Sequence, residues 1–255
     1  NMSDVMKHSE GGVTTLTLNR VASKNALTAE MYAAMADALS EAAQDPAQRV
    51  VVLQGHEAVF TAGNDISDFL NNPPAGAEAP VHRFLHAIAD FPKPLVAAVC
   101  GPAVGVGTTL LLHCDLVVAG DNAMFALPFV NLGLCPEAAS SLLLPQLMGH
   151  KRAAQALLLG DPFSAETALE VGLVNAVVPP TEANAHARAM AARLATKPLD
   201  ALMQSKRLMK APQQAQTLQV MADEGEVFKR LLLAPAAKEA FSAFLDKRKP
   251  DFSQL

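Results

Sequence analysis

A single acidic residue lies in a long uncharged segment in the middle of the chain. Between residues 122 and 149, Glu137 is the only Asp, Glu, Lys or Arg, although charged residues make up 18% of the sequence. Pro136 before it is typical of the first turn of a helix, where the helix dipole favours an acid. Alternatively, a partly desolvated carboxylate has a raised pKa and can act as a base toward a carbon acid. The segment itself leaves both interpretations open.

Two glycine loops precede this segment. In VFTAGNDISDF (59–69), a strand-like stretch leads through Gly63 and Asn64 into a predicted helix, and CGPAVGVGTTLLL (100–112) has the same order. A glycine before a helix leaves backbone N–H groups free to bind an anion or a developing oxyanion. Taken alone, the first loop is better explained by an Asn or Asp helix cap without a function. Together, the loops could supply two amide donors for one carbonyl oxygen.

Other reactive side chains form weaker patterns. The second loop matches neither GxGxxG nor GxxxxGK, so no nucleotide fingerprint is present. His82 and His86 are one helical turn apart, but no third metal ligand is apparent. His113 and Asp115 are sequence neighbours, and adjacency does not build a catalytic triad. We interpret these residues as exposed or packing side chains and predict no metal site.

Strand and helix patterns alternate through the first part of the chain. Short apolar runs at 13–18, 50–53, 95–99 and 116–119 are typical of strands, and 28–43 repeats its apolar residues at helical spacing. This pattern predicts an α/β protein whose parallel strands are joined by crossover helices.

The last part of the chain is predicted to be mainly helical. Ala-rich and Leu-rich segments follow residue 150, with a short strand candidate at 173–178. Pro198, Pro212 and Pro235 are interpreted as helix boundaries. We expect a core at 1–195 and a helical C-terminal region at 196–255.

Composition narrows the class of protein. A hydrophobic content of 51% predicts an ordered core, and a net charge of −5 without a long basic run gives no indication of nucleic-acid binding. Three dispersed cysteines favour a reducing compartment such as the cytoplasm. Residues 95–112 are uncharged, but Gly101-Pro102 interrupts them, so we expect a buried strand, loop and helix rather than a membrane span.

Several motifs in the same order resemble the crotonase, or enoyl-CoA hydratase/isomerase, superfamily. They are NRVASKNALT (19–28), FTAGNDISDF (60–69), KPLVAAVCGPAVGVGTTLLLHCD (93–115), PFVNLGLCPEAASS (128–141) and AFLDKRKPDF (243–252). The resemblance covers nearly the whole chain. It implies a spiral of ββα units followed by a helical region that builds homotrimers or dimers of trimers.

The resemblance also implies an acyl-CoA thioester as the substrate, with coenzyme A as part of that substrate and no other cofactor. The thioester oxygen would lie between the backbone N–H groups of Asn64 and Val106. The coenzyme A contacts would come from residues in the N-terminal motif, the first glycine loop and the C-terminal helix: Ser23, Lys24, Ala26, Ala62, Gly63, Asp65, Ile66, Phe244 and Lys247.

The acidic residues indicate one branch of the superfamily. Hydratases have two glutamates where this chain has Thr109 and Phe129. The motif around Glu137 is instead similar to Δ3,Δ2-enoyl-CoA isomerases, in which the matching glutamate is the catalytic base. Ala138 departs from that branch, which usually has a glycine there. The expected activity is therefore double-bond isomerisation. The alternatives are hydration or another reaction of a CoA thioester, and acyl-CoA binding without catalysis.

Overall fold

The computed structural model describes residues 3–255. Within this range the strands are β1 (Val5–Glu10), β2 (Val13–Leu18), β3 (Val50–Gln54), β4 (Leu95–Val99), β5 (Pro102–Val104), β6 (Leu116–Gly120), β7 (Met124–Ala126), β8 (Phe163–Ser164) and β9 (Ala176–Val178). The α-helices are α1 (Ala29–Gln44), α2 (Ile66–Asn71), α3 (Pro80–Asp90), α4 (Val106–Thr109), α5 (Ser140–Met148), α6 (His150–Ala154), α7 (Ala165–Val171), α8 (Pro180–Ala195), α9 (Leu199–Leu232) and α10 (Pro235–Leu245).

The strands form two sheets. The larger has the order β1-β2-β3-β4-β6-β9. Its strands β2, β3, β4, β6 and β9 are parallel to one another, and β1 is an antiparallel edge strand. The smaller has the order β5-β7-β8. Successive units place one strand in each sheet and then a helix, as β4-β5-α4 and β6-β7-α5 do. The predicted α/β fold of ββα units is therefore confirmed.

Both faces of the larger sheet are buried, and strand β3 shows why. Val50 and Val52 point to one face, whereas Val51 and Leu53 point to the other, as the two-residue period of a strand requires. On the first face, α8 approaches closely through small side chains at four-residue spacing: Ala183, Ala187 and Ala191. The other face packs on α1 and α3. A strand buried on both faces has to be an uninterrupted apolar run.

Most helices and strands occur where the sequence predicted them. For example, α1 begins after Thr28, whose side chain accepts a hydrogen bond from the Met31 amide at 3.2 Å. Two details were wrong. Only 176–178 of the strand candidate 173–178 is a strand. Pro212 lies inside α9 rather than at its end. We attribute the continuation of α9 to buried contacts on both sides of Pro212, made by Lys206 and Glu224.

Helix α9 fastens the C-terminal region to the core. The Lys206 ammonium donates to the Lys93 carbonyl and to the Asp115 carboxylate, each at 2.8 Å, and Lys210 donates to the Ala89 carbonyl at the end of α3. The division of the chain at residue 195 stays a prediction. Among residues 3–255, no helix is both long and apolar enough to cross a membrane.

Gly101, in the turn after β4, lies close to the loop that follows β3, and a substitution can test this contact. It has a φ of +64°, and a Cβ there would lie 2.1 Å from the Ala58 carbonyl oxygen. Gly11 has a similar φ of +60° but open space around it. We expect Gly101→Ala to lower the free energy of unfolding by at least ~2 kcal/mol more than Gly11→Ala, because only Gly101→Ala adds a clash to the backbone strain. Urea denaturation measures both, and equal losses would contradict the predicted clash.

Candidate active site

The two glycine loops lie side by side. The Val104 amide donates to the Thr61 carbonyl at 3.0 Å, and the Thr61 amide donates to the Pro102 carbonyl at 3.1 Å. Gly63 has a φ of +92°, and a Cβ there would lie 3.1 Å from the Val104 carbonyl oxygen. A side chain at Gly63 would therefore press the loops apart. The glycine is needed both for its backbone conformation and for this contact.

The Asn64 amide of the first loop and the Val106 amide of the second have no protein acceptor within residues 3–255. The Leu27 amide donates to the Gly63 carbonyl, and the Leu27 carbonyl accepts from the Asp65 amide. The N–H of Asn64, between these two bonds, is left without an acceptor. Val106 is the first residue of α4, so its N–H has no acceptor within the helix. Within residues 3–255 neither N–H donates a hydrogen bond. Such unpaired amides are uncommon in folded proteins, and two on adjacent loops are what an oxyanion hole requires.

Glu137 lies in the turn before α5, not in the helix itself. The interpretation of this residue as part of a first helical turn is therefore wrong. Thr109 Oγ1, at the end of α4, donates to Glu137 Oε1 at 2.5 Å. Burial raises the pKa of Glu137 to about 7, against the opposing effect of the Thr109 hydrogen bond and with the nearby Glu224 charge raising it further. The carboxyl group is thus balanced between its acid and base forms near neutral pH.

The turn after Glu137 has a conformation that favours glycine. Ala138 and Ala139 have φ values of 58° and 61°, in the left-handed region that costs roughly 1–2 kcal/mol for a residue with a Cβ. Two buried side chains hold this turn. His113 Nε2 donates to the Ala138 carbonyl at 2.6 Å, and the Ala139 amide donates to the Glu224 carboxylate at 2.7 Å. Alanine at position 138 thus keeps the backbone geometry that a glycine would adopt.

Tyr32, the only tyrosine of the chain, was not identified from the sequence, where it reads as one more apolar position of α1. It is buried, and its hydroxyl donates to Asn64 Oδ1. Burial raises its pKa well above the usual value, and the charge of Glu137 raises it further. Tyr32 therefore stays protonated and links the first loop electrostatically to Glu137. A cavity of about 30 Å³ lies beside Tyr32 and Asn64, between α1, α2 and the start of α3.

The segments predicted to contact coenzyme A are joined to one another. The Ala62 amide donates to the Lys24 carbonyl at 2.9 Å, and Arg20 donates to both the Ala26 carbonyl and the Asp65 carboxylate. Asp65 also caps α2, so its carboxylate is occupied, and the Arg20 ion pair and the cap lower its pKa. Any contact from Asp65 to coenzyme A would have to leave these bonds intact.

The remaining residues of the predicted coenzyme A set are dispersed around these segments. Ser23 and Lys24 are exposed, whereas Ile66 is partly buried at the start of α2. Phe244 and Lys247 are exposed at the end of α10. The structure packs α10 against α2, with the rings of Phe241 and Phe69 at 5.9 Å. Their contacts with coenzyme A stay predictions.

The other candidate side chains have structural roles. His82 bonds a main-chain carbonyl of the preceding loop, and His86 is exposed. His113 and Asp115 bond different backbone groups, so they do not act as a pair. In the described part of the chain, no group of three or more His, Cys, Asp and Glu is arranged to hold a metal ion.

The raised pKa of Glu137 predicts a pH-dependent cost in stability. Because its folded-state pKa of about 7 exceeds the ordinary 4.5, the folded protein binds the proton more tightly than the unfolded chain does, and stability falls as pH rises through this range. Glu137→Gln removes this effect. We expect the variant to be more stable than the wild type by about 1–3 kcal/mol at pH 8 and similar to it near pH 4.5. Urea denaturation across this range measures the difference. Exposed Glu226→Gln is the control, and a difference independent of pH would contradict the prediction.

Comparisons with known proteins identify the family of this chain. A family model described as enoyl-CoA hydratase/isomerase matches residues 8–255. The solved structure of OdaA from Pseudomonas aeruginosa has a TM-score of 0.93 and 50% identity, covering 96% of this chain and 99% of that one.

Curated relatives carry different activities. The chain is 37% identical to 1,2-epoxyphenylacetyl-CoA isomerase of Escherichia coli K12, covering 99% of each protein. It is 34% identical to 2,3-dehydroadipyl-CoA hydratase of the same organism, covering 98% of this chain and 99% of that protein. It is also 34% identical to human enoyl-CoA delta isomerase 2, covering 94% of this chain but 62% of that protein.

Proposed function

This chain belongs to the enoyl-CoA hydratase/isomerase family, and we propose that it moves the double bond of a 3-enoyl-CoA to the 2 position. The observation that carries the proposal is a partly buried carboxylate, Glu137, whose pKa burial raises to about 7. Thr109 joins it to the helix that begins with the free Val106 amide. Tyr32, whose pKa is raised by burial and further by the Glu137 charge, bonds the side chain of Asn64.

The proposed reaction uses one acid twice. The thioester oxygen binds to the amides of Asn64 and Val106, and the Glu137 carboxylate removes a proton from C2. The electrons of the C2–H bond delocalise over the double bond and the thioester as a dienolate. Protonated Glu137 then returns the proton to C4, so the new double bond lies between C2 and C3. No water is added and no electrons are lost, so one carboxyl group suffices.

Most of the rate enhancement would come from the amide pair. Removal of one such donor typically lowers the rate by ~10²–10³, and a positioned acid or base contributes roughly 10²–10⁴. The pKa of about 7 keeps Glu137 ionised often enough to accept the C2 proton and acidic enough to release it to C4. Burial therefore serves both halves of the reaction.

Hydration is the second candidate, because a relative that covers nearly the whole chain is a hydratase. A hydratase mechanism with an assisting Asp65 or Asp68 is less consistent with the geometry. Asp65 is paired with Arg20, and Asp68 Oδ2 accepts from the Ala29 amide at 2.7 Å. Both acids are thus engaged in holding helix ends. Incorporation of ¹⁸O from labelled water into the product would identify hydration.

Catalytically inactive binding of acyl-CoA is the third candidate. Tight binding without exchange of the C2 proton for solvent deuterium would support it.

The proposal also retains the predicted coenzyme A contacts, with coenzyme A entering only as part of the substrate. It retains a homotrimer or dimer of trimers located in the cytoplasm.

Replacement of the base gives the most direct test. We expect Glu137→Gln to lower isomerisation of 3-enoyl-CoA by ~10²–10⁴ while acyl-CoA binding changes little, because glutamine keeps the shape but cannot take a proton. In the wild type, kcat/KM should fall about tenfold per pH unit below pH 7, as Glu137 becomes protonated. Product analysis by mass and double-bond position and calorimetric binding measure these effects. Unchanged turnover in the variant would reject the role of Glu137.

The Val106 N–H can be removed by a proline substitution. Val106 is the first residue of α4, a position where proline fits a helix, and the control Val106→Ala accounts for loss of the buried valine side chain. We expect Val106→Pro to lower kcat/KM by ~10²–10³, whereas the control Val106→Ala, which keeps the amide, should retain most activity. Circular dichroism checks folding of both. Equal activity in the two variants would show that this amide does not bind the thioester oxygen.

A further inference from the structure

Glu224 is a buried acid outside the residues that would touch the substrate. It lies on α9, is 7% exposed and forms no salt bridge within the described residues. Its carboxylate accepts hydrogen bonds from the Ala139 amide at 2.7 Å, the Ser141 amide at 3.0 Å and the Ser141 hydroxyl at 2.5 Å. A buried carboxylate with three donors and no cation is costly to desolvate, so its location calls for a physical reason.

The three donors belong to the end of the turn that holds Glu137. Ala139 is in the left-handed conformation, and Ser141 is in the first turn of α5. Glu224 therefore takes the place that an N-cap side chain of α5 would otherwise occupy, since Ala139 has none to offer. The hydrogen bonds to Glu224 stabilise the strained turn at its end, and the hydrogen bond from His113 to the Ala138 carbonyl stabilises its middle.

Glu224 also influences Glu137 through its charge. The groups that face Glu137 come from several elements: Tyr32 on α1, Thr109 on α4 and Cys135 in its own loop. Burial keeps Tyr32 protonated and raises the pKa of Cys135 to about 11, so both are neutral near pH 7.

Two further ionisable groups lie close to the turn. Burial lowers the pKa of His113, behind the turn, to about 4, so it is neutral too. The Glu224 charge raises the pKa of Glu137, and burial raises the pKa of Glu224 itself against the hydrogen bonds that it accepts from Ser141 and Ala139. This charge adds to the larger effect of burial on Glu137.

We propose that Glu224 is a positioning residue for Glu137, which fixes the Glu137 turn through the start of α5 and tunes the base with its charge. The catalytic part of this inference rests on the proposed function. The structural part concerns only the two carboxyl groups and is measurable without turnover.

The experiment titrates Glu137 directly and measures activity in parallel. Protein labelled with ¹³C at the glutamate carboxyl carbons is followed by NMR from pH 4 to 9, and Glu137→Gln identifies the Glu137 signal. We expect Glu224→Gln to lower the pKa of Glu137, because a nearby negative charge is lost. The acidic limb of the pH profile of kcat should shift by the same amount. The value of kcat should fall several-fold, whereas KM should change little.

Three further variants separate charge from geometry. Glu224→Asp keeps the charge but shortens the side chain, so kcat should fall while the titration of Glu137 stays close to that of the wild type. Ser141→Ala removes one donor and should behave in the same direction but more weakly. Glu226→Gln makes the same charge change at an exposed position of α9 and should alter neither readout. If Glu224→Gln does not fold, Glu224→Asp and Ser141→Ala still test the geometry.

The possible results separate the two proposals. A Glu137 titration that is the same in Glu224→Gln, Glu226→Gln and wild type would overturn the electrostatic role, and an unchanged kcat in Glu224→Asp and Ser141→Ala would overturn the positioning role. If Glu224→Gln shifts the Glu137 titration as expected, but the wild type neither isomerises 3-enoyl-CoA nor exchanges its C2 proton, only the proposed function is refuted.

Discussion

The site depends on a carboxyl group kept largely away from water without a cation beside it. Burial raises the pKa of Glu137 to about 7 against the opposing hydrogen bond from Thr109, and the like charge of Glu224 raises it further. A cation close by would have the opposite effect and would leave a poor base. The surrounding structure therefore has to tolerate an unfavourable charge, and packing of the neighbouring elements provides the compensating free energy.

The oxyanion hole depends on a related constraint. A free amide is useful only if the groups around it are satisfied, because otherwise the loop would relax to bond it internally. Leu27 bonds the Gly63 carbonyl, in the same peptide group as the Asn64 N–H, and the Asp65 amide of the next peptide group, and the bonds between Thr61 and the second loop hold the two loops in register. The two sheets supply this register, since each ββα unit ends a strand next to the equivalent end of its neighbour.

Helix α9 shows how a peripheral element contributes to a site it does not line. It contacts the core through Lys206 near one end and reaches the Glu137 turn through Glu224 near the other. Between them lies Pro212, which removes one helical hydrogen bond without ending the helix. The length of this helix allows one rigid element to connect the sheet and the turn.

The sequence by itself determined the features that depend on neighbouring residues. Apolar runs located the strands, Thr28 marked the start of α1, and the ordered motifs identified the family and both glycine loops. The tertiary structure decided what surrounds Glu137, because those contacts join distant parts of the chain. Glu224 reaches Ala139 across 85 positions, and Tyr32 reaches Asn64 across 32. Neither residue differs in local pattern from an ordinary helical residue. The pKa of a buried group depends on where the fold places charges and water, which local spacing does not encode.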